Sequence, residues 1–156
     1  PGIVFYDIGT LLAHGPAWRE AIARMGAALE SWRPDVLIGI ESRGFLVAAA
    51  LAAELGTGFV MVRKKGKLPG KTVSLSYELE YGSDALEIQD NLLKPGQRVA
   101  VCDDLLATGG TAEAAIALAR HVGAEVVHAA FVIELAFLKG RQKFDVPVTS
   151  LIAYEA

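Results

Sequence analysis

The chain has 156 residues, 53% of them hydrophobic, with a formal net charge of −3. That is enough apolar material for the core of one domain, and it excludes both a disordered chain and a broadly basic nucleic-acid surface. The longest apolar stretch, residues 45–53, falls far short of the ~20 residues a membrane span requires, and no charged segment precedes an apolar one as in a secretory signal. Neither nucleic acid nor membrane is therefore an expected partner. Cys102 is the only cysteine, so no intrachain disulfide forms, and a reducing cytoplasmic location is expected.

In chain order, residues 2–8 (Gly-Ile-Val-Phe-Tyr-Asp-Ile) form an apolar segment with an aromatic residue. It reads either as a terminal strand packed on the core or as a strand whose ring stacks on a flat base. Residues 18–32 place Trp18, Ile22, Met25, Leu29 and Trp32 at helical spacing, with Arg19, Glu20, Arg24 and Glu30 between them, and Arg33-Pro34 ends that helix. A short buried strand is expected over 36–40 and an Ala-rich helix over 44–55, with Gly56 as its left-handed cap. A second strand follows over 59–62. Residues 63–71 are basic and rich in breakers, and 72–81 alternate in part, predicting a long loop and an exposed hairpin. After a turn at 94–97 come a strand from Val99, a helix over 112–122 closed by Gly123, a strand over 126–133, a short helix or turn over 138–144 and a last strand over 148–154. This alternation, without repeats or linkers, predicts one α/β domain over 1–156 with a mostly parallel sheet flanked by helices.

The segment with the most chemistry is Val99 to Thr111, Val-Ala-Val-Cys-Asp-Asp-Leu-Leu-Ala-Thr-Gly-Gly-Thr. A buried strand delivers Asp103 and Asp104 to its carboxyl end, where open α/β sheets bind ligands. The carboxylates can accept hydrogen bonds from vicinal hydroxyls or hold water around a divalent ion. The loop Ala107-Thr108-Gly109-Gly110-Thr111 offers hydroxyls and bare backbone N–H groups at a helix N-terminus, which favours phosphate. No Gly-Lys-Ser/Thr ends the loop and no G-x-G-x-x-G is present, so it is neither a nucleoside-triphosphate P-loop nor a dinucleotide fingerprint.

Three further segments gain meaning beside it. Glu41-Ser42-Arg43-Gly44-Phe45, in a strand-to-helix turn, is a second anion site or a surface turn. The basic loop 63–71 is a solvated face or part of a cationic pocket for a polyanion. Glu78-Leu79-Glu80-Tyr81-Gly82 places an acid on a hairpin that could fold over a site and deliver a proton.

The phosphate loop resembles that of the type I phosphoribosyltransferases. The order of Pro1-Gly2-Ile3-Val4-Phe5, Ser42-Arg43-Gly44-Phe45, Arg63-Lys64-Lys65-Gly66-Lys67-Leu68-Pro69-Gly70, Ser76-Tyr77-Glu78-Leu79-Glu80-Tyr81-Gly82 and Asp103 to Thr111 is similar to the branch of that family acting on adenine, over nearly the whole chain. The resemblance implies a small hood at about 1–12, a flexible lid at about 64–84, and transfer of 5-phosphoribosyl from phosphoribosyl diphosphate (PRPP) to adenine, giving AMP and pyrophosphate. It implies that Val4 and Phe5 line the base site, Leu105 closes its other face, Arg43, Arg63 and Lys67 bind pyrophosphate, Asp103 and Asp104 hold the ribose, and Ala107, Thr108, Gly109, Gly110 and Thr111 hold the 5′-phosphate. Glu80 would assist protonation of the base at N7 and Tyr81 would help close the lid. Mg²⁺ is implied mainly through PRPP and water, and a homodimer is implied because a basic residue of the loop can come from the partner subunit. Tyr6, also beside the base, stands where many members carry Arg, and the helix that members have ahead of the Pro-Gly segment is not in this sequence. The rival readings are another purine, xanthine or guanine, and a non-catalytic PRPP-sensing regulator, which would carry an added DNA-binding domain or a basic RNA face.

Overall fold

The computed structural model describes residues 7–79 and 81–156. Its elements in chain order are α1 (Gly9–Ala13), α2 (Gly15–Glu30), β1 (Val36–Ile40), α3 (Arg43–Leu55), β2 (Gly58–Lys64), β3 (Thr72–Leu79), β4 (Gly82–Gln89), β5 (Arg98–Leu106), α4 (Gly110–His121), β6 (Glu125–Leu135), two single 3₁₀ turns (Ala136–Leu138 and Gly140–Lys143) and β7 (Val148–Tyr154). The strands form one seven-stranded sheet in the order β3-β4-β2-β1-β5-β6-β7. β2, β1, β5, β6 and β7 run parallel, and the β3–β4 hairpin is added antiparallel at the β2 edge. The fold is the mostly parallel α/β sheet with flanking helices that the alternation of segments predicts.

Both faces of the sheet are covered, which is why its central strands are continuously apolar rather than alternating. Ile38, Ile40, Val62, Val99, Val101, Ala129 and Phe131 pack with α4 on one side. Leu37, Ala100, Cys102, Ala130 and Val132 pack with α2 and α3 on the other. Successive residues of a strand thus serve opposite cores. Phe131, Met25 and Leu29 are fully buried, and a side chain of this size contributes about 1.5–3 kcal/mol by leaving water.

Helix α2 begins earlier than the apolar spacing predicts. Pro16 fits its first turn, where a missing N–H needs no partner, and the His14 ring accepts a hydrogen bond from Ala17 N at 3.1 Å. Trp32 falls beyond the helix end and is partly exposed. The hairpin is more deeply built in than an exposed one: β4 pairs with β2, and Leu86, Glu87 and Ile88 are buried. Its tip is open, with Tyr81 94% exposed. Among the described residues no helix is long and apolar enough to cross a membrane.

Chain order turns about β1, which has β2 on one side and β5 on the other. The connections leaving β1 and β5 therefore diverge, and the carboxyl ends of these two strands frame a crevice, the usual ligand position in such sheets.

Candidate active site

A cavity of about 500 Å³ lies in that crevice, between residues 41–43 after β1 and residues 103–112 from the end of β5 into α4. Two helix N-termini face it, those of α3 and α4, and neither is closed by a side-chain cap. The first turn of a helix lacks the i−4 carbonyls that pair its later N–H groups and bears the positive end of the helix dipole. Two sites for negative charge thus flank the carboxylates Asp103 and Asp104.

Tight backbone approaches build this arrangement. A Cβ on Gly44, in the first turn of α3, would lie 2.8 Å from Asp103 Oδ1 and 3.1 Å from the Cys102 carbonyl oxygen, so only glycine lets α3 reach the end of β5. Gly109, the residue before α4, has φ +86 and a buried backbone, in the left-handed region that glycine tolerates. Its backbone also meets Gly140: a Cβ on Gly109 would sit 2.3 Å from the Gly140 carbonyl oxygen.

The acids differ in environment. Asp104 is 5% exposed and forms an ion pair with Arg43, Nε to Oδ2 2.7 Å. Asp103 Oδ1 accepts a hydrogen bond from Asp104 N at 2.8 Å. Burial, reinforced by the adjacent Asp104 carboxyl, pushes the Asp103 carboxyl well above the ordinary carboxylate range. Neighbouring Cys102 is buried, and burial together with Asp103 pushes its thiol up to about 12. The thiol therefore stays protonated and serves as packing rather than as a nucleophile.

The basic residues converge on Glu41. This carboxylate accepts a hydrogen bond from Lys64 N, pairs with Arg63 Nη2 at 3.3 Å and lies 3.8 Å from Lys67 Nζ. Arg63 also lies over the Phe45 ring, 5.8 Å from its centroid, a cation–π contact that orients the guanidinium. A second carboxylate, Glu87, is 3% exposed and accepts hydrogen bonds from Gly66 N (3.0 Å), Leu68 N (3.1 Å) and Thr72 Oγ1 (3.2 Å). Burial alone would raise its pKa, but these donors outweigh it and hold the Glu87 carboxyl below its ordinary range. The basic loop is thus folded around an ionised buried acid rather than left as a solvated run.

Of the residues singled out by sequence, Arg43, Asp103, Asp104, Leu105, Ala107, Thr108, Gly109, Gly110 and Thr111 line the one cavity. Arg63 and Lys67 join it through Glu41, itself in the cavity wall. Val4, Phe5, Tyr6 and Glu80 lie outside the described residues. Sequence reasoning named Glu41 only as part of the turn after β1, without a role of its own, and passed over Glu87, Glu134 and Gly140. The signal for Glu87 and Glu134 was an acid set directly between apolar neighbours, Leu86 and Ile88 in one case and Ile133 and Leu135 in the other, a placement that calls for a partner.

A family profile described as phosphoribosyl transferase domain matches residues 8–151. The adenine phosphoribosyltransferase of Rhodospirillum centenum is 61% identical over 156 residues, covering 100% of this chain and 91% of that protein. Among solved structures, the adenine phosphoribosyltransferase of Rhodothermus marinus superposes with a TM-score of 0.94 at 46% identity, covering 99% of this chain and 89% of that one. The enzyme from Saccharomyces cerevisiae, complexed with an imino-altritol bisphosphate and adenine, gives a TM-score of 0.91 at 44% identity, covering 96% of this chain and 88% of that one.

Proposed function

The chain belongs to the phosphoribosyltransferase family and, within it, to the adenine phosphoribosyltransferases, and from that premise we infer how its cleft performs the reaction. The enzyme transfers 5-phosphoribosyl from PRPP to adenine, giving AMP and pyrophosphate in purine salvage. The observation that carries the residue roles is the pair of uncapped helix N-termini flanking two carboxylates in one cavity, because PRPP is a ribose with phosphate at both ends.

The loop from Ala107 to Thr111 takes the 5′-phosphate on its backbone N–H groups and the hydroxyls of Thr108 and Thr111. Asp103 and Asp104 accept hydrogen bonds from the ribose hydroxyls. Arg43, at the α3 N-terminus, and Arg63 and Lys67, from the basic loop, hold the pyrophosphate and stabilise its charge as it leaves. The ribose becomes oxocarbenium-like in the transition state, and the nearby carboxylates favour that positive charge. Val4, Phe5 and Leu105 hold adenine, with Tyr6 beside it. Glu80, on the hairpin, assists protonation of the base at N7, and Tyr81 closes the lid formed by about 64–84 over the hood at about 1–12, keeping water from the sugar.

The residues suit Mg²⁺ bound mainly through substrate. Asp103 and Asp104 share the cavity, and among the described residues no cluster of His, Cys, Asp or Glu forms a cage of protein ligands, so the diphosphate and water would supply most of its oxygens. When bound, Mg²⁺ neutralises charge on the diphosphate. The active form is a homodimer, and the enzyme is cytoplasmic, a setting supported by its buried lone thiol.

Incubation with adenine, PRPP and Mg²⁺ tests the activity: AMP and pyrophosphate form in equal amounts. Well-folded protein that makes no AMP would rule it out. Glu80→Gln is expected to lower kcat by about 10²–10⁴-fold with little change in PRPP affinity, the range for loss of a general acid. Equal loss in both would assign Glu80 a structural part.

A further inference from the structure

The phosphate loop rests on a residue that does not line the cavity. Gly140 begins the second 3₁₀ turn, and a Cβ there would lie 2.4 Å from the Ala107 carbonyl oxygen and 3.0 Å from Gly109 N. Unlike Gly109, Gly140 has no left-handed φ. Backbone conformation therefore does not demand glycine at 140; closeness to the loop does.

An ion pair adjoins this contact. Arg141 donates from Nε to Glu134 Oε1 at 2.8 Å and from Nη2 to Glu134 Oε2, and Ser150 Oγ donates to the same Oε2 at 2.6 Å. Glu134 is 3% exposed. It lies on β6 directly opposite Leu106, the last residue of β5 before the loop. The buried carboxylate thus ties the turn that carries Gly140 to β7, from a strand residue paired in register with the end of β5. Arg141 holds the Glu134 carboxyl below its ordinary range, with Ser150 assisting against burial, so the pair is ionised at neutral pH.

We propose that Glu134 and Arg141 are positioning residues for the 5′-phosphate: their ion pair seats Gly140 against residues 107–109 and so sets where the loop's N–H groups point. This rests on the reading of that loop as the phosphate site. Recognition by backbone N–H groups has no side-chain freedom with which to recover a misaligned geometry, so displacement of the support is felt at the ligand.

The test is steady-state kinetics with PRPP and adenine varied separately, alongside direct titration with AMP and with adenine, on Arg141→Ala, Arg141→Lys, Gly140→Ala and Ser150→Ala. Arg120→Ala, which breaks an exposed pair with Asp145, is the control. Arg141→Ala and Gly140→Ala are expected to raise the PRPP KM and weaken AMP binding by about 10- to 100-fold, while kcat at saturating PRPP and adenine binding stay within about threefold. Arg141→Lys, which keeps the charge but loses the bidentate fork, falls between. Unchanged PRPP KM and AMP binding in Arg141→Ala and Gly140→Ala, or loss of kcat with both KM values constant, overturns the proposal. Should Arg141→Ala fail to fold, Ser150→Ala decides: it removes one hydrogen bond from Glu134 and must raise the PRPP KM, and an unchanged value overturns the proposal. Failure of the underlying reading looks different: the unmodified protein makes no AMP, or Thr111→Ala leaves PRPP binding intact.

Discussion

The two ends of the cleft meet negative charge in different ways. At the β5–α4 end the groups on offer are backbone N–H donors and hydroxyls, fixed by a glycine at φ +86 and by direct backbone packing against Gly140. At the β1–α3 end they are cations, each already held by an acid: Arg43 by Asp104, and Arg63 and Lys67 by Glu41. The first end is a rigid mould. The second is a set of ion pairs, in which, on the assignment proposed above, an incoming pyrophosphate takes over partners from carboxylates. On the proposed assignment the difference suits the reaction, since the 5′-phosphate stays on the product whereas the pyrophosphate must be gripped and then released.

Four changes sharpen or break this contrast, from the largest expected effect downward. Gly109→Ala adds a methyl group where the Gly140 carbonyl lies 2.3 Å away and where φ is left-handed. PRPP and AMP binding should both fall by about 100-fold or more, with a stability loss of about 1–3 kcal/mol for the strained backbone. Normal AMP affinity in titration would show that the mould is not rigid. Arg43→Ala should raise the PRPP KM by about 10- to 100-fold, roughly 1.4–2.8 kcal/mol, and should leave AMP binding nearly unchanged, because AMP carries no pyrophosphate. Equal loss for the two ligands would erase the distinction between the ends. Raising ionic strength should weaken pyrophosphate binding by several-fold more than AMP binding, since the partly exposed cations are screened within about 10 Å at 0.1 M salt. Parallel salt slopes in isothermal titration would contradict the assignment.

The smallest effect concerns Asp103. Its folded-state pKa is raised by burial and by Asp104. The stability tied to its proton is therefore fully present below the unfolded carboxylate range and is lost as pH rises through the folded value. Asp103→Asn should accordingly raise Tm at pH 7, with the gain shrinking as pH falls into the ordinary carboxylate range, while PRPP binding weakens. A Tm gain that is independent of pH would point to packing rather than charge.

How much was legible beforehand follows the same divide. β1 was readable at both ends because its short apolar run is bounded by breakers and buried between the two cores, and β7, a half-buried to exposed edge strand, was readable from Pro147 just ahead of it. The segment from Asp103 to Thr111 was readable because strand end, loop and helix start are contiguous, so local sequence carries the whole mould. The cationic end was only half legible. Its basic residues were evident, but Glu41 meets Arg63 across 22 positions of sequence and Glu87 takes the N–H groups of Gly66 and Leu68 across 21 and 19, and no local pattern announces partners that distant. β4 was not legible as a strand: the expected hairpin lay within 72–81, and nothing local marks Glu87, which is buried among donors from the loop it folds. Gly140 was invisible for a related reason: a glycine selected by contact with a distant backbone looks like any turn glycine.

The account stands most directly on which end of the cleft receives which phosphate. A crystal structure of the protein with AMP, pyrophosphate and Mg²⁺ decides it. The expected result places the AMP phosphate within hydrogen-bond distance of backbone N–H groups of residues 107–111, with Gly140 still packed behind them. Pyrophosphate should lie at the α3 N-terminus, with Arg43 turned from Asp104 toward it. AMP phosphate at Arg43, or pyrophosphate on the loop after β5, would contradict the assignment.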